Sequence, residues 1–220
     1  LSLHDALPIS NRGLAGGYNS NAVKLLTKDE RFTTENTVVY AVGTKGRDSV
    51  EREGYTIAGD YSEAINEPLY ADASEIGKEV LSKFTMGEIG EIYLIYTIFK
   101  NTMVQIPTMM KLLPINASDI TADAEDVEEN PIDRITLMNY EPAPEEALNA
   151  IIPKYVNSLI FGGLVESHAS ENGARMQAMD SATSNAEEMI SDLSLKYNRA
   201  RQASITQELT EIIAGASAIS

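Results

Sequence analysis

With 220 residues, 43% of them hydrophobic, the chain is long and apolar enough for one or two packed domains. Thirty-three acidic residues against seventeen basic ones leave a formal charge of -16, which excludes direct binding to nucleic acid or an anionic lipid surface, since both demand a basic face. The absence of Cys excludes a disulfide framework, a thiolate nucleophile and thiolate-held zinc, and no run of about eighteen apolar residues is present to span a bilayer.

The first ten residues, LSLHDALPIS, have neither a starting Met nor a basic segment ahead of an apolar core, so they do not read as a signal peptide. Residues 1–10 read as a non-native leader, a joining scar ahead of a shortened gene, and His4 and Asp5 are set aside on that ground. The alternative is a native strand end, LPIS, feeding the loop that follows.

From Asn11 to about Pro142, short β runs alternate with helical runs. TVVYAVG (Thr37 to Gly43) is rich in β-branched residues and ends at Gly, KGRDSVERE follows with helix-forming charge, and YTIAG (Tyr55 to Gly59) reads as another short strand, which makes a βαβ unit. DASEIGKEVLSKF places Ile76, Val80, Leu81 and Phe84 on one helical face, and EIYLIYTIF (Glu91 to Phe99) with VQIPTMMKLLPI (Val104 to Ile115) forms a hairpin around Lys100 to Met103. That order predicts a small α/β sandwich, a mixed sheet with flanking helices, over residues 11–142.

Residues 118–130, SDITADAEDVEEN, carry six acids, no base and no Gly, which fits a solvated loop better than a calcium loop with its turn Gly and fixed carboxylate spacing. ITLMNYEPAPEE then supplies one more strand and a hinge, where Pro144 with Glu145 and Glu146 marks a helix start with acids in the first turn.

Beyond it, residues 143–220 read as one very long helix, about 110 Å if continuous at 1.5 Å per residue. Within it Met179, Thr183, Ala186, Ile190, Leu193, Tyr197, Ala200 and Ser204 recur at alternating spacings of four and three, a coiled-coil seam. The seam mixes small and large side chains, so it asks for a closely approaching helix, and nothing else in the chain is long enough to supply one.

Chemical motifs are weak by comparison. RGLAGGYNSN (Arg12 to Asn21) could cradle a phosphate on backbone N–H groups, and VGTKGRD (Val42 to Asp48) follows a strand with Lys45 and Arg47, but neither carries GxxxxGK[ST] or GxGxxG spacing. They read as a structural turn and a strand-to-helix connection. His168 beside Glu166 and Glu171 is too isolated for a metal site, Met176 with Met179 reads as core packing, and no acid–base constellation emerges.

The stretch Ser170 to Ala218, SENGARMQAMDSATSNAEEMISDLSLKYNRARQASITQELTEIIAGASA, resembles the C-terminal signature of the gamma subunit of the F-type ATP synthase, and NRGLAGGYNSN resembles that family's DRGLAGGLN with Asn11 in place of Asp. The resemblance runs from about Asn11 to the end. It implies the central rotor stalk, coupling proton-driven rotation to ATP synthesis in the beta subunits, with no catalytic site and no cofactor of its own. In that family an antiparallel coiled coil of N- and C-terminal helices penetrates a ring of alpha and beta subunits, while the α/β part sits near epsilon and the membrane c-ring.

By resemblance the seam's partner is the family's N-terminal helix, missing where LSLHDALPIS stands, so the chain is expected to be an N-terminally truncated fragment. Lacking the redox Cys pair of chloroplast members, it matches the bacterial type, peripheral on the cytoplasmic face of the plasma membrane. Arg201, Gln202 and Thr206 occupy positions where the family's shaft hydrogen-bonds a loop of a beta subunit, and Gln202 and Thr206 lie four apart on one helical face. Leu209, Ile212, Ile213 and Ala216 form an apolar tip above them. Two other readings remain: a nucleotide-binding α/β enzyme with a helical dimerisation arm, and a coiled-coil scaffold.

Overall fold

The computed structural model describes residues 4–11, 13–115 and 144–219. The acidic segment 118–130 and the strand expected after it lie outside the described residues. In chain order the elements are β1 (His4–Pro8), α1 (Tyr18–Thr27), β2 (Thr37–Ala41), α2 (Thr44–Arg52), β3 (Thr56–Asp60), α3 (Tyr70–Thr85), β4 (Glu91–Phe99), β5 (Gln105–Leu113) and α4 (Pro144–Ile219).

The strands form one sheet in the order β3-β2-β1-β4-β5. All neighbours are parallel except β4 and β5, the expected hairpin, which pair antiparallel. Strand chirality dictates where the helices go. The steps β1 to β2 and β2 to β3 move the same way across the sheet, so right-handed crossovers put α1 and α2 on one face. The step from β3 back to β4 reverses direction and puts α3 on the other.

Both faces of the central strands are therefore covered, and their side chains divide by alternation. Ala6, Val39, Tyr93 and Ile95 enter a core with Val23 and Leu26 of α1 and Val50 of α2. Leu7, Ile92, Leu94 and Tyr96 enter a second core with Ile76 and Val80 of α3 and with Val156, Ile160 and Leu164 of α4. A five-stranded mixed sheet with helices on both sides is the α/β sandwich that the sequence predicts.

Two expectations meet an arrangement that the sequence reading did not foresee. The decapeptide set aside as a leader supplies β1, the central strand, which pairs with both β2 and β4, and Ala6 and Leu7 are fully buried. The strand-end alternative is the one that describes its structure, because a parallel sheet needs a strand at that position to join its two halves. The division at 142/143 also moves. The chain separates into compact units Leu1–Gln177 and Ala178–Ser220, since the first part of α4 contributes Val156, Ile160 and Leu164 to the second core.

Although no unbroken apolar run is present, α4 is by length and composition alone long and apolar enough to cross a membrane. A helix that packs one face against a sheet gains apolar character in the same way.

Candidate partner-binding face

In an open α/β sheet, ligands bind outside the carboxyl ends of the strands where the strand order reverses, here between β1 and β4. That crevice is filled from within the chain. Gly163 brings α4 so close that a Cβ there would lie 2.9 Å from Leu94. One turn on, Ser167 Oγ accepts from the Thr97 backbone N–H at 3.2 Å, and Ser170 Oγ donates to the Thr97 carbonyl at 2.9 Å. Glu171 Oε2 accepts from the Asn11 N–H at 2.9 Å, and Tyr18 Oη donates to the Ser167 carbonyl at 3.0 Å. Burial raises the Tyr18 phenol to about 12, so it remains a donor.

The strand-to-helix turn is closed in the same manner. Gly43 has φ 106°, and a Cβ there would sit 2.2 Å from the Ser10 carbonyl oxygen, so the position takes only Gly. The first α2 amides are already spent: Lys45 N–H donates to the Asn11 carbonyl at 3.2 Å and Gly46 N–H to the Ser10 carbonyl at 2.9 Å. A cavity of about 650 Å³ lies beside this turn, between Thr44, Arg47, Asp60, Tyr61 and Asp72. Among the described lining residues the one cation is Arg47, which is engaged by Asp60 at 2.7 Å and Asp48 at 3.1 Å. This arrangement fits the strand-to-helix reading of the second loop, whose first helical amides are occupied by backbone carbonyls.

His168 is held by the Ile65 carbonyl at 2.8 Å through Nδ1 and by Asn172 Nδ2 at 3.0 Å through Nε2, so Nδ1 is the protonated nitrogen and Nε2 the acceptor. Among the described residues no group of three or more His, Asp or Glu is set to hold a metal ion. Met176 and Met179 are 57% and 47% exposed, which corrects the core-packing expectation for that pair.

Past Gln177 the picture changes. Every seam residue, Met179, Thr183, Ala186, Ile190, Leu193, Tyr197, Ala200 and Ser204, is exposed, as are Arg201, Gln202, Thr206, Leu209, Ile212, Ile213 and Ala216. On a helix of 3.6 residues per turn the seam occupies an arc of about 100° and the other seven an adjoining arc of about 140°. Leu195 and Ile205 fall inside that second arc and are half exposed, two members that the sequence reading did not name.

The Thr206 hydroxyl donates back to the Gln202 carbonyl at 2.8 Å, which leaves its lone pairs for an incoming donor, while the side chains of Arg201 and Gln202 pair with no described residue. Exposed large apolar side chains in such density mark an interaction surface. The polar contacts of Ser167, Ser170 and Glu171 escaped the sequence reading. Their signal was the run of small residues Gly163, Ser167, Ser170 and Gly173, spaced four, three and three along one helical face.

Comparison with known proteins points one way. The family profile described as ATP synthase matches residues 7–219. The ATP synthase gamma chain of Lachnoclostridium phytofermentans is 65% identical over 210 residues, covering 96% of this chain and 72% of that one. The sodium-ion-specific ATP synthase gamma chain of Acetobacterium woodii is 44% identical over 219 residues, 95% of this chain and 72% of its own length. Among solved structures, a chain of the Euglena gracilis mitochondrial ATP synthase, in an assembly of OSCP, F1 and c-ring, aligns with a TM-score of 0.68 at 19% identity over 99% of this chain and 73% of that one. A chain from the central stalk and c-ring of the Tetrahymena thermophila enzyme aligns with a TM-score of 0.60 at 22% identity, over 83% and 76% respectively.

Proposed function

Since this chain belongs to the ATP synthase gamma chain family and is a central-stalk subunit of an F-type ATP synthase, we propose that the exposed helix beyond Gln177 is the part that works on the catalytic subunits. Arg201, Gln202 and Thr206 grip a loop of a beta subunit, and Leu209, Ile212, Ile213 and Ala216 turn inside an apolar sleeve formed by alpha and beta subunits. The seam from Met179 to Ser204 takes an antiparallel helix of the gamma chain itself. The α/β part faces epsilon and the c-ring, at the cytoplasmic face of a bacterial plasma membrane.

The observation that carries this reading is the exposure of ten large hydrophobic side chains between Met179 and Ile213, none below 47%. A surface of that kind is one that partners cover. Polar and apolar contacts divide the work. A guanidinium fork and two neutral hydrogen-bonding groups make contacts strong enough to transmit orientation and weak enough to release, and the apolar tip adds burial with little directional resistance. Orientation of the shaft then shifts each beta subunit among conformations of different nucleotide affinity. Bond-making stays in beta.

In the assembled synthase, combined Arg201→Ala, Gln202→Ala and Thr206→Ala substitution should weaken ATP synthesis and hydrolysis more than matched changes at Lys196 or Glu187. Loss of one side of a buried charged contact costs about 2 to 5 kcal/mol. Wild-type assembly with both rates unchanged would sink the assignment.

A further inference from the structure

We infer that Ser167, Ser170 and Glu171 form a torsional lock, positioning residues that fix the azimuth of α4 on the sheet so that load entering the α/β part turns the helix instead of slipping past it. The inference rests on the reading that drive enters through the α/β part.

Apolar packing supplies one part of the hold on this helix: Val156, Ile160 and Leu164 lie against the sheet, and each contact between them is a weak, non-directional dispersion attraction. Directional hydrogen bonds do fix an angle. The four that the sheet end offers straddle the helix. On one side Thr97 of β4 is held through both its N–H and its carbonyl, by Ser167 and Ser170. On the other, the Asn11 N–H and the Tyr18 hydroxyl of the β1–α1 connection reach Glu171 and the Ser167 carbonyl.

All of these groups are buried: Ser167 and Ser170 are 0% exposed, Thr97 1%, Glu171 4%, Tyr18 6% and Asn11 7%. Rotation of the helix by one residue would break them together and leave buried donors and acceptors unpaired, which is the costly outcome for a polar group. Arg175 braces the far side of Glu171 from one turn on and also donates to Asn172, so the carboxylate is itself held in place. The sequence places small residues at Gly163, Ser167, Ser170 and Gly173, which lets the helix approach near enough for short hydroxyl side chains to reach strand backbone.

The test has two arms. In the isolated chain, hydrogen exchange at the Asn11 and Thr97 amides should accelerate at least tenfold in Ser167→Ala/Ser170→Ala/Glu171→Leu, while the Leu94 amide stays protected. In the assembled synthase, the same variant should lose at least half of the ions pumped per ATP hydrolysed against an opposing gradient, with ATPase in the absence of a gradient within twofold of wild type. Val156→Ala, which removes packing without touching the lock, should leave that ratio unchanged at a comparable drop in Tm. Glu171→Gln keeps an acceptor for Asn11 and should retain the ratio.

An unchanged ratio in the triple variant, an equal loss in Val156→Ala, or a loss in Glu171→Gln as large as in Glu171→Leu would each overturn the lock. The beta-contact reading fails separately: if Arg201, Gln202 and Thr206 substitutions are silent while the lock variant slips, that contact is wrong and the lock stands.

Discussion

Ile160 and Ile190 belong to the same helix, yet one is 1% exposed and the other 64%. The first sits in the unit that ends at Gln177, where it joins a core shared by the sheet, α3 and α4. The second sits in the unit from Ala178 onward, where large apolar side chains from Met179 to Ile213 are exposed. The contrast teaches that helix formation and burial are separate matters here. Before Gln177 the helix is held by packing on a sheet, and after it by local propensity and i, i+4 contacts such as Asp192 with Lys196 at 2.7 Å, which are individually worth only tenths of a kcal/mol. A surface of that kind is built for partners.

The contrast should break most visibly at Ile160. Ile160→Ala should lower the stability of the chain to urea by about 2 to 5 kcal/mol, because it opens a cavity between α4 and the sheet. Equal stability of wild type and variant would mean that α4 does not share the second core.

A smaller effect is expected where α3 meets α4. A Cβ at Gly77 would lie 1.9 Å from Asn157 Oδ1, so Gly77→Ala should cost about 1 to 3 kcal/mol by overpacking. Adding Asn157→Ala should return a part of that loss. A double variant no more stable than Gly77→Ala alone would show that the two residues do not touch.

At the centre of the sheet, burial raises the Asp5 carboxyl to about 7, with Lys83 offsetting some of the shift and Glu79 adding to it. The folded chain therefore holds this proton more tightly than the unfolded chain, whose carboxyl has its ordinary value of 3.8. Stability should fall as pH rises from that value toward 7 and stay lower above it. Asp5→Asn should remove the slope and stabilise at pH 8 by on the order of 2 kcal/mol. Parallel Tm profiles for the two proteins between pH 5 and 8 would contradict the burial argument.

The smallest effect should come from the exposed region. Ile190→Ala in the isolated chain should change stability by less than about 0.5 kcal/mol, since an exposed side chain has no core to lose. Chemical denaturation followed by far-UV circular dichroism reads it directly. A cost as large as that of Ile160→Ala would erase the distinction between the two parts of the helix.

Much of the architecture was legible in residue patterns. Glu91 to Phe99 read as a strand because it is a near-continuous run of β-branched, aromatic and aliphatic residues, and the seam from Met179 to Ser204 read as a seam because its spacing repeats over many turns. Two features misled. His4 to Pro8 looked foreign because nothing local marks a five-residue strand as central. The helix looked like a separate element from its first residue, because periodicity reports an apolar face without saying what covers it. The Thr97, Ser167 and Ser170 contacts were invisible for a related reason: serine in a helix is ordinary, and only its place over a strand end makes it a ligand for backbone.

By itself the sequence determined element types, the α/β class, the length of the exposed helix, and the family, because each of these follows from local spacing or from a long run of matched residues. Tertiary structure alone decided that β1 joins the two halves of the sheet and that the first part of α4 closes the second core. It also decided that this helix fills the crevice where such sheets otherwise take a ligand. These are pairings between residues far apart in the chain, Asn11 with Glu171 and Thr97 with Ser167, and no local rule of propensity or period encodes which distant partner a buried polar group will meet.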